Sequence, residues 1–227
     1  MTQRLHAAKN PADAAFLKGF FKTAKGQYGE GDRFLGIRVP VLRAMARDFR
    51  ELTLEDTARL LALPWHEARL VALILLTNSH RRGNTAARSA IYKAYLTHTQ
   101  HINNWDLVDT SAPGIVGAHL ATRKRRKLAA LARSKNLWER RIAIVATLHF
   151  IRAGEFDDTL RIAERLLADQ HDLIHKAVGW MLREVGKRDS SQLEAFLDEH
   201  VTRMPRTTLR YAIERMPRTQ REAYMRR

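Results

Sequence analysis

The segment Asn103-Asn104-Trp105-Asp106-Leu107-Val108-Asp109 places an indole and a carboxylate four residues apart. On a short helix capped by the asparagines, Trp105 and Asp109 share one face. A fixed carboxylate in a partly dry site can stabilise a developing positive charge, and the face of an indole attracts cations through its negative quadrupole. A second tryptophan, Trp180, follows Lys176, and Arg141 lies in the segment between. If these segments stack, the side chains of Trp105, Asp109, Arg141 and Trp180 can converge. Taken singly, each has a plainer reading, because a tryptophan usually serves the core and a lone aspartate usually caps a helix or meets solvent.

Other chemistries find little support. The chain has no cysteine, which excludes disulfides, thiolate catalysis and thiolate metal sites. His171 and His175 have the helical spacing of a zinc pair, but Asp172 stands where the general-base glutamate of that motif belongs, so no metal is expected. Gly26, Gly29 and Gly31 lack the Lys-Ser/Thr ending of a phosphate loop and read as a turn. No cofactor is expected.

The elements that must position these residues read as helices throughout. Asn10-Pro11-Ala12-Asp13 combines a cap residue, a proline at the first helical position and an acid in the first turn, which predicts a helix running toward Lys25. Pro40 opens another, and apolar positions recur at three- and four-residue spacing without a strand-like run. Breaks at Pro64, Gly83, Asn103-Asn104, Pro113, Gly154, Gly186 and Pro205 divide the chain into many short helices. The segments beginning at Glu67, Arg140, His175 and Leu209 resemble one another, each opening with a base and turning apolar. With Arg69, Arg141, Lys176 and Arg210 equivalent, the period is about 35 residues, and the missing unit centres on Trp105. The expected fold is all-α, a curved HEAT-like or ARM-like helical repeat solenoid, with residues 1–227 forming a single HEAT-like repeat domain. Stacking would turn the recurring base into a ladder able to track a phosphate backbone.

Forty Lys and Arg against 24 Asp and Glu leave a formal charge of +16, which attracts polyanions. The bases are spread from Arg33 to Arg227 rather than gathered on one amphipathic helix, which favours nucleic acid over a membrane surface. The runs Lys124 to Lys127 and Arg218 to Arg227 are weaker signals, a solvated face and a frayed basic terminus. Without a membrane-spanning run or an apolar leader after Met1, a cytoplasmic location is expected.

The sequence resembles the AlkD-like DNA glycosylases of HEAT-like repeats over nearly its whole length. The resemblance rests on Phe34-Leu35-Gly36-Ile37-Arg38-Val39-Pro40, Trp105-Asp106-Leu107-Val108-Asp109, Trp138-Glu139-Arg140-Arg141-Ile142-Ala143 and Lys176 to Glu184, four motifs in order. It implies that Trp105, Asp109, Arg141 and Trp180 match the family's active-site tryptophans, carboxylate and phosphate-contacting arginine. Tyr28 and Arg38 fall where the family approaches DNA, with Arg38 in place of a glutamine found in some members. Arg69, Lys176 and Arg210 complete the expected DNA-binding set.

The resemblance also implies the chemistry. A purine alkylated at N3 or N7 is cationic and leaves without protonation, so the sugar needs the help. Asp109 would stabilise its oxocarbenium character or orient water. Trp105 and Trp180 would favour the cationic nucleotide, and Arg141 would fix the strand through a phosphate. The family holds the backbone around the lesion and needs no deep base pocket. No lysine accompanies the motif, so strand cleavage through a Schiff base is not expected and the product is an abasic site. The expected partner is duplex DNA carrying alkylated bases, bound by a monomer. Charge and repeats alone would also suit a non-catalytic HEAT-repeat nucleic-acid-binding protein, or an armadillo-type scaffold with an acidic partner.

Overall fold

The computed structural model describes all 227 residues. The chain divides into two compact units, Met1–Ile115 and Val116–Arg227. Neither contains a strand, and the only extended pairing is an isolated bridge between Arg33 and Trp65. No helix is long and apolar enough to cross a membrane.

The first unit contains α1 (Thr2–Ala7), α2 (Pro11–Phe20), α3 (Val39–Asp48), α4 (Leu54–Leu61), α5 (His66–Arg82), α6 (Thr85–Thr97) and α7 (Trp105–Ala112). The second contains α8 (Ala118–Leu120), α9 (Arg126–Leu131), α10 (Leu137–Ala146), α11 (Leu148–Arg152), α12 (Asp157–Leu166), α13 (Asp172–Gly186), α14 (Ser190–His200), α15 (Arg206–Ala212) and α16 (Arg218–Arg226). In the first unit α3, α5 and α7 pack in succession, with α4 and α6 laid against α5. In the second, α10, α13 and α15 pack in succession, with α9, α12 and α14 against them. The architecture is therefore an all-helical repeat. Its recurring base stands in the first turn or so of α5, α10, α13 and α15, as the period predicts.

Local sequence explains the helix starts. Asn10 accepts the amides of Ala12 and Asp13, Thr53 that of Asp56, Asn84 that of Ala87, and Asn136 that of Trp138, each satisfying donors that a first turn leaves open. The helix expected to reach Lys25 instead stops at Phe20, because Phe21 is drawn into the core beside Phe34 and Lys22 turns to φ 52°. The central helix α5 is buried over most of its length, including Glu67 and Arg69, consistent with elements packed on it from several sides.

In the second unit α13 and α15 approach so closely that a Cβ on Gly179 would collide with Tyr211 Cβ and the Thr208 carbonyl. Alanine ordinarily favours a helix over glycine by about 1 kcal/mol. Here the collision should win, and Gly179→Ala is expected to lose about 1–3 kcal/mol in denaturant titration. A variant as stable as the parent would show that α15 can move aside.

Candidate active site

Helix α7 starts from Asn104, which is fully buried and accepts the Trp105 amide at 2.8 Å. Asp106 Oδ1 accepts the Leu107 amide at 2.9 Å. The helix buries Leu107, Val108, Ser111 and Ala112, which leaves Trp105 and Asp109 half-buried, on a common face one turn apart. Near them Tyr95 is buried with its hydroxyl 3.0 Å from Ser111 Oγ. Burial pushes the Tyr95 phenol up, against the Ser111 hydrogen bond and with the help of the Asp109 carboxylate, so this neighbour of Asp109 stays neutral.

The Trp105 ring is held on two sides. Its Nε1–H donates to the Tyr28 hydroxyl at 3.3 Å, which brings together two residues assigned separately from sequence. Its ring centroid lies 5.4 Å from that of Phe21 and 6.1 Å from that of Phe20. A cleft of about 580 Å³ opens beside it, walled by Phe16, Phe20, Phe21, Phe34 and Val39 among others. Phe16 and Phe20 stack with centroids 6.1 Å apart and are 68% and 53% exposed.

Behind Trp105 lies a buried polar frame that sequence reasoning missed. His66 bridges Asp32 and Asp106, with each ring nitrogen 2.8 Å from a carboxylate oxygen. Arg69 donates to Asp32 and to Asn103, and the Asn104 side-chain amide lies 3.4 Å from Asp32 Oδ2. Burial alone would raise the Asp32 carboxyl, but His66, Arg69 and Asn104 hold it below the usual carboxylate range. One carboxylate thus gathers the turn before α3, the start of α5 and the approach to α7. Asp32 sits at the end of a glycine-rich turn and His66 at a helix start, so neither position advertises such a role. Asp106 stood inside the Trp105–Asp109 motif, but nothing in the spacing said what it would face.

A second buried frame holds the motif around Gly36. Glu67, 1% exposed, accepts the amides of Leu35, Gly36 and Ile37 at 2.9, 2.7 and 3.2 Å. Gly36 takes φ 82°, and a Cβ there would strike Asn10 and Ala14 backbone atoms. Arg38 then emerges into solvent and pairs with Asp13 through two hydrogen bonds of 3.1 and 2.7 Å.

In the second unit Arg141 is buried on α10 and donates to the Leu173 carbonyl at 2.5 Å. Trp180 is half-buried on α13. Lys176 pairs with Asp172 at 2.7 Å, and Arg210 is exposed on α15. The expected ladder therefore needs a correction at Arg69: it is 5% exposed, with Asp32 and Asn103 on its guanidinium, and is not presented to a phosphate. Arg69 reaches the residues that precede α7, and Arg141 reaches the start of α13. The recurring base at these two places ties one inner helix to the beginning of the next.

No group of three or more His, Asp or Glu side chains is gathered in a way that could hold a metal ion. His171 and His175 have other tasks. His171 Nδ1 accepts the Leu173 amide at 3.1 Å as the cap of α13, and His175 Nε2 meets the Asp169 carbonyl.

Among solved structures, the chain is similar to one described as a predicted DNA alkylation repair enzyme from Enterococcus faecalis. The match has a TM-score of 0.71 at 20% identity and covers 92% of this chain and 97% of that one, which shows a shared fold. No curated protein matches. The family model described as DNA alkylation repair enzyme matches residues 1–216. On that match, which spans both units and every motif discussed above, the chain belongs to the DNA alkylation repair enzyme family.

Proposed function

We propose that the protein is a monofunctional DNA glycosylase that hydrolyses the N-glycosidic bond of cationic N3- or N7-alkylated purines in duplex DNA. The observation that carries this reading is the pairing of Trp105 and Asp109 on one face of α7, half-buried and anchored from behind by the Asp32–His66–Asp106 frame.

The reaction asks little acid catalysis of the protein, because an alkylated purine departs as a neutral base. As the bond breaks, positive charge grows on the deoxyribose. Asp109 stabilises that charge or orients the incoming water. Trp105 and Trp180 offer ring faces to the cationic nucleotide, an attraction of about 0.5–2 kcal/mol each. Arg141, as buried as Arg69, is assigned to supporting the start of α13 through the Leu173 carbonyl rather than to a direct phosphate contact. Tyr28, Arg38, Lys176 and Arg210 are assigned to DNA contact, supported by the formal charge of +16.

The direct test is to incubate the protein with methylated duplex and analyse the products by chromatography. Free 7-methylguanine or 3-methyladenine and an uncleaved strand bearing abasic sites are expected. Tight, salt-sensitive binding with no base released would instead favour a non-catalytic DNA-binding repeat protein.

A further inference from the structure

The imidazole of His66 is nearly sealed from solvent, with 3% of its side chain exposed. Its Nδ1 faces Asp32 Oδ2 and its Nε2 faces Asp106 Oδ2. Ionised carboxylates only accept hydrogen bonds, so both contacts are satisfied only when both ring nitrogens carry protons. The flanking rings suit that cation. Phe34 stacks on the imidazole at 4.7 Å and Phe21 lies at 4.8 Å, each offering a negative face. The charged groups about the ring are Asp32 from the turn before α3, Asp106 from α7, and Glu67 and Arg69 from α5. Glu67 is directed at the amides of Leu35, Gly36 and Ile37, and Arg69 shares Asp32.

We propose that His66 is a positioning residue for the reaction: it clamps the first turn of α7 to the Asp32 turn and so sets where Trp105 and Asp109 point. The connections are short. Asp106 adjoins Trp105 and accepts the Leu107 amide, while Asn104, which accepts the Trp105 amide, also reaches Asp32. Residues 104 to 107 are thus tied to one ring and to the carboxylate behind it. The catalytic half of this inference rests on the glycosylase reading, whereas the geometric half does not.

The clamp has a pH signature. Burial would lower the His66 pKa, but Asp106 and then Asp32 outweigh it and raise the ring from its ordinary 6.5 to about 9. A raised pKa in the folded state means that the stabilisation is fully present below pH 6.5 and is lost as pH rises through about 9. On losing one proton the ring keeps a single N–H, and one of the two carboxylates loses its hydrogen bond from the ring.

The experiment uses full-length protein labelled with 5-fluorotryptophan, with the Trp105 resonance assigned by its loss in Trp105→Phe. In the parent this resonance should shift with a midpoint near pH 9. In His66→Gln, neutral throughout, the transition should vanish. In Asp106→Asn it should move to lower pH, and this milder variant carries the test if His66→Gln fails to fold, as judged by circular dichroism. For base release from methylated duplex, His66→Gln should lower kcat by about 10- to 100-fold with KM within about twofold, the pattern of misplaced rather than missing reaction groups. A Trp105 resonance indifferent both to pH and to the His66 substitution overturns the clamp. Absence of base release by the parent protein overturns the glycosylase reading alone, because the resonance still decides the clamp.

Discussion

Asp109→Asn is expected to abolish release of methylated purines while leaving DNA affinity within about twofold, a loss of at least about 100-fold in single-turnover rate. The amide is nearly isosteric with the carboxylate, so α7 should fold unchanged and its buried face should pack as before. What disappears is the negative charge. An amide dipole stabilises an oxocarbenium-like sugar far less than an ion does, and it cannot take a proton from water. Binding should persist because affinity for duplex DNA comes mainly from bases meeting phosphates, none of which is altered. The check is single-turnover base release alongside a binding titration at one fixed salt concentration. Normal release by the variant removes Asp109 from the mechanism; loss of binding in step with activity would make it a structural acid instead.

Glu67→Ala should destabilise the first unit by about 3–5 kcal/mol in urea denaturation. The carboxylate is buried and accepts three consecutive backbone amides, which have no route to water once it is gone. Alanine leaves the donors unmet and adds a cavity. Glu67→Gln should cost less, because its carbonyl oxygen can keep the Gly36 and Ile37 amides while its NH₂ group faces the Leu35 amide as donor against donor. The order Ala worse than Gln worse than parent is therefore diagnostic. Equal midpoints for all three proteins would mean that the Leu35–Ile37 segment finds other partners.

Much of the scaffold was legible because helix signals are local. Asn10-Pro11 and Pro40 mark real helix starts, and the period through Arg69, Arg141, Lys176 and Arg210 marks the inner helices with the right register. The meaning of that period was harder to read. A base at the start of a helix looks the same in sequence whether it faces solvent or the next helix, and only packing reveals that Arg69 and Arg141 do the latter. Phe34 to Pro40 was recognisable as a motif, yet its reason lies in Glu67, some 30 residues on. Asp32, His66 and Asp106 are separated by still more chain, and each has a type and setting ordinary for a turn or a cap. Their joint role arises only when α5 and α7 are brought together, so no spacing rule could have found it.

The stacked pair Phe16 and Phe20, standing in solvent beside exposed Val39, has a consequence for the free protein. At low ionic strength the excess of 16 positive charges keeps copies of the molecule apart. Near 1 M salt the screening length falls to about 3 Å, that repulsion fades, and the oily attraction between such patches persists. Brine strong enough to strip the protein from its polyanion should therefore bring its molecules together, visible as rising light scatter that Phe16→Ser with Phe20→Ser suppresses. For this chain the nucleic acid would serve as a solubilising counter-ion as well as a substrate.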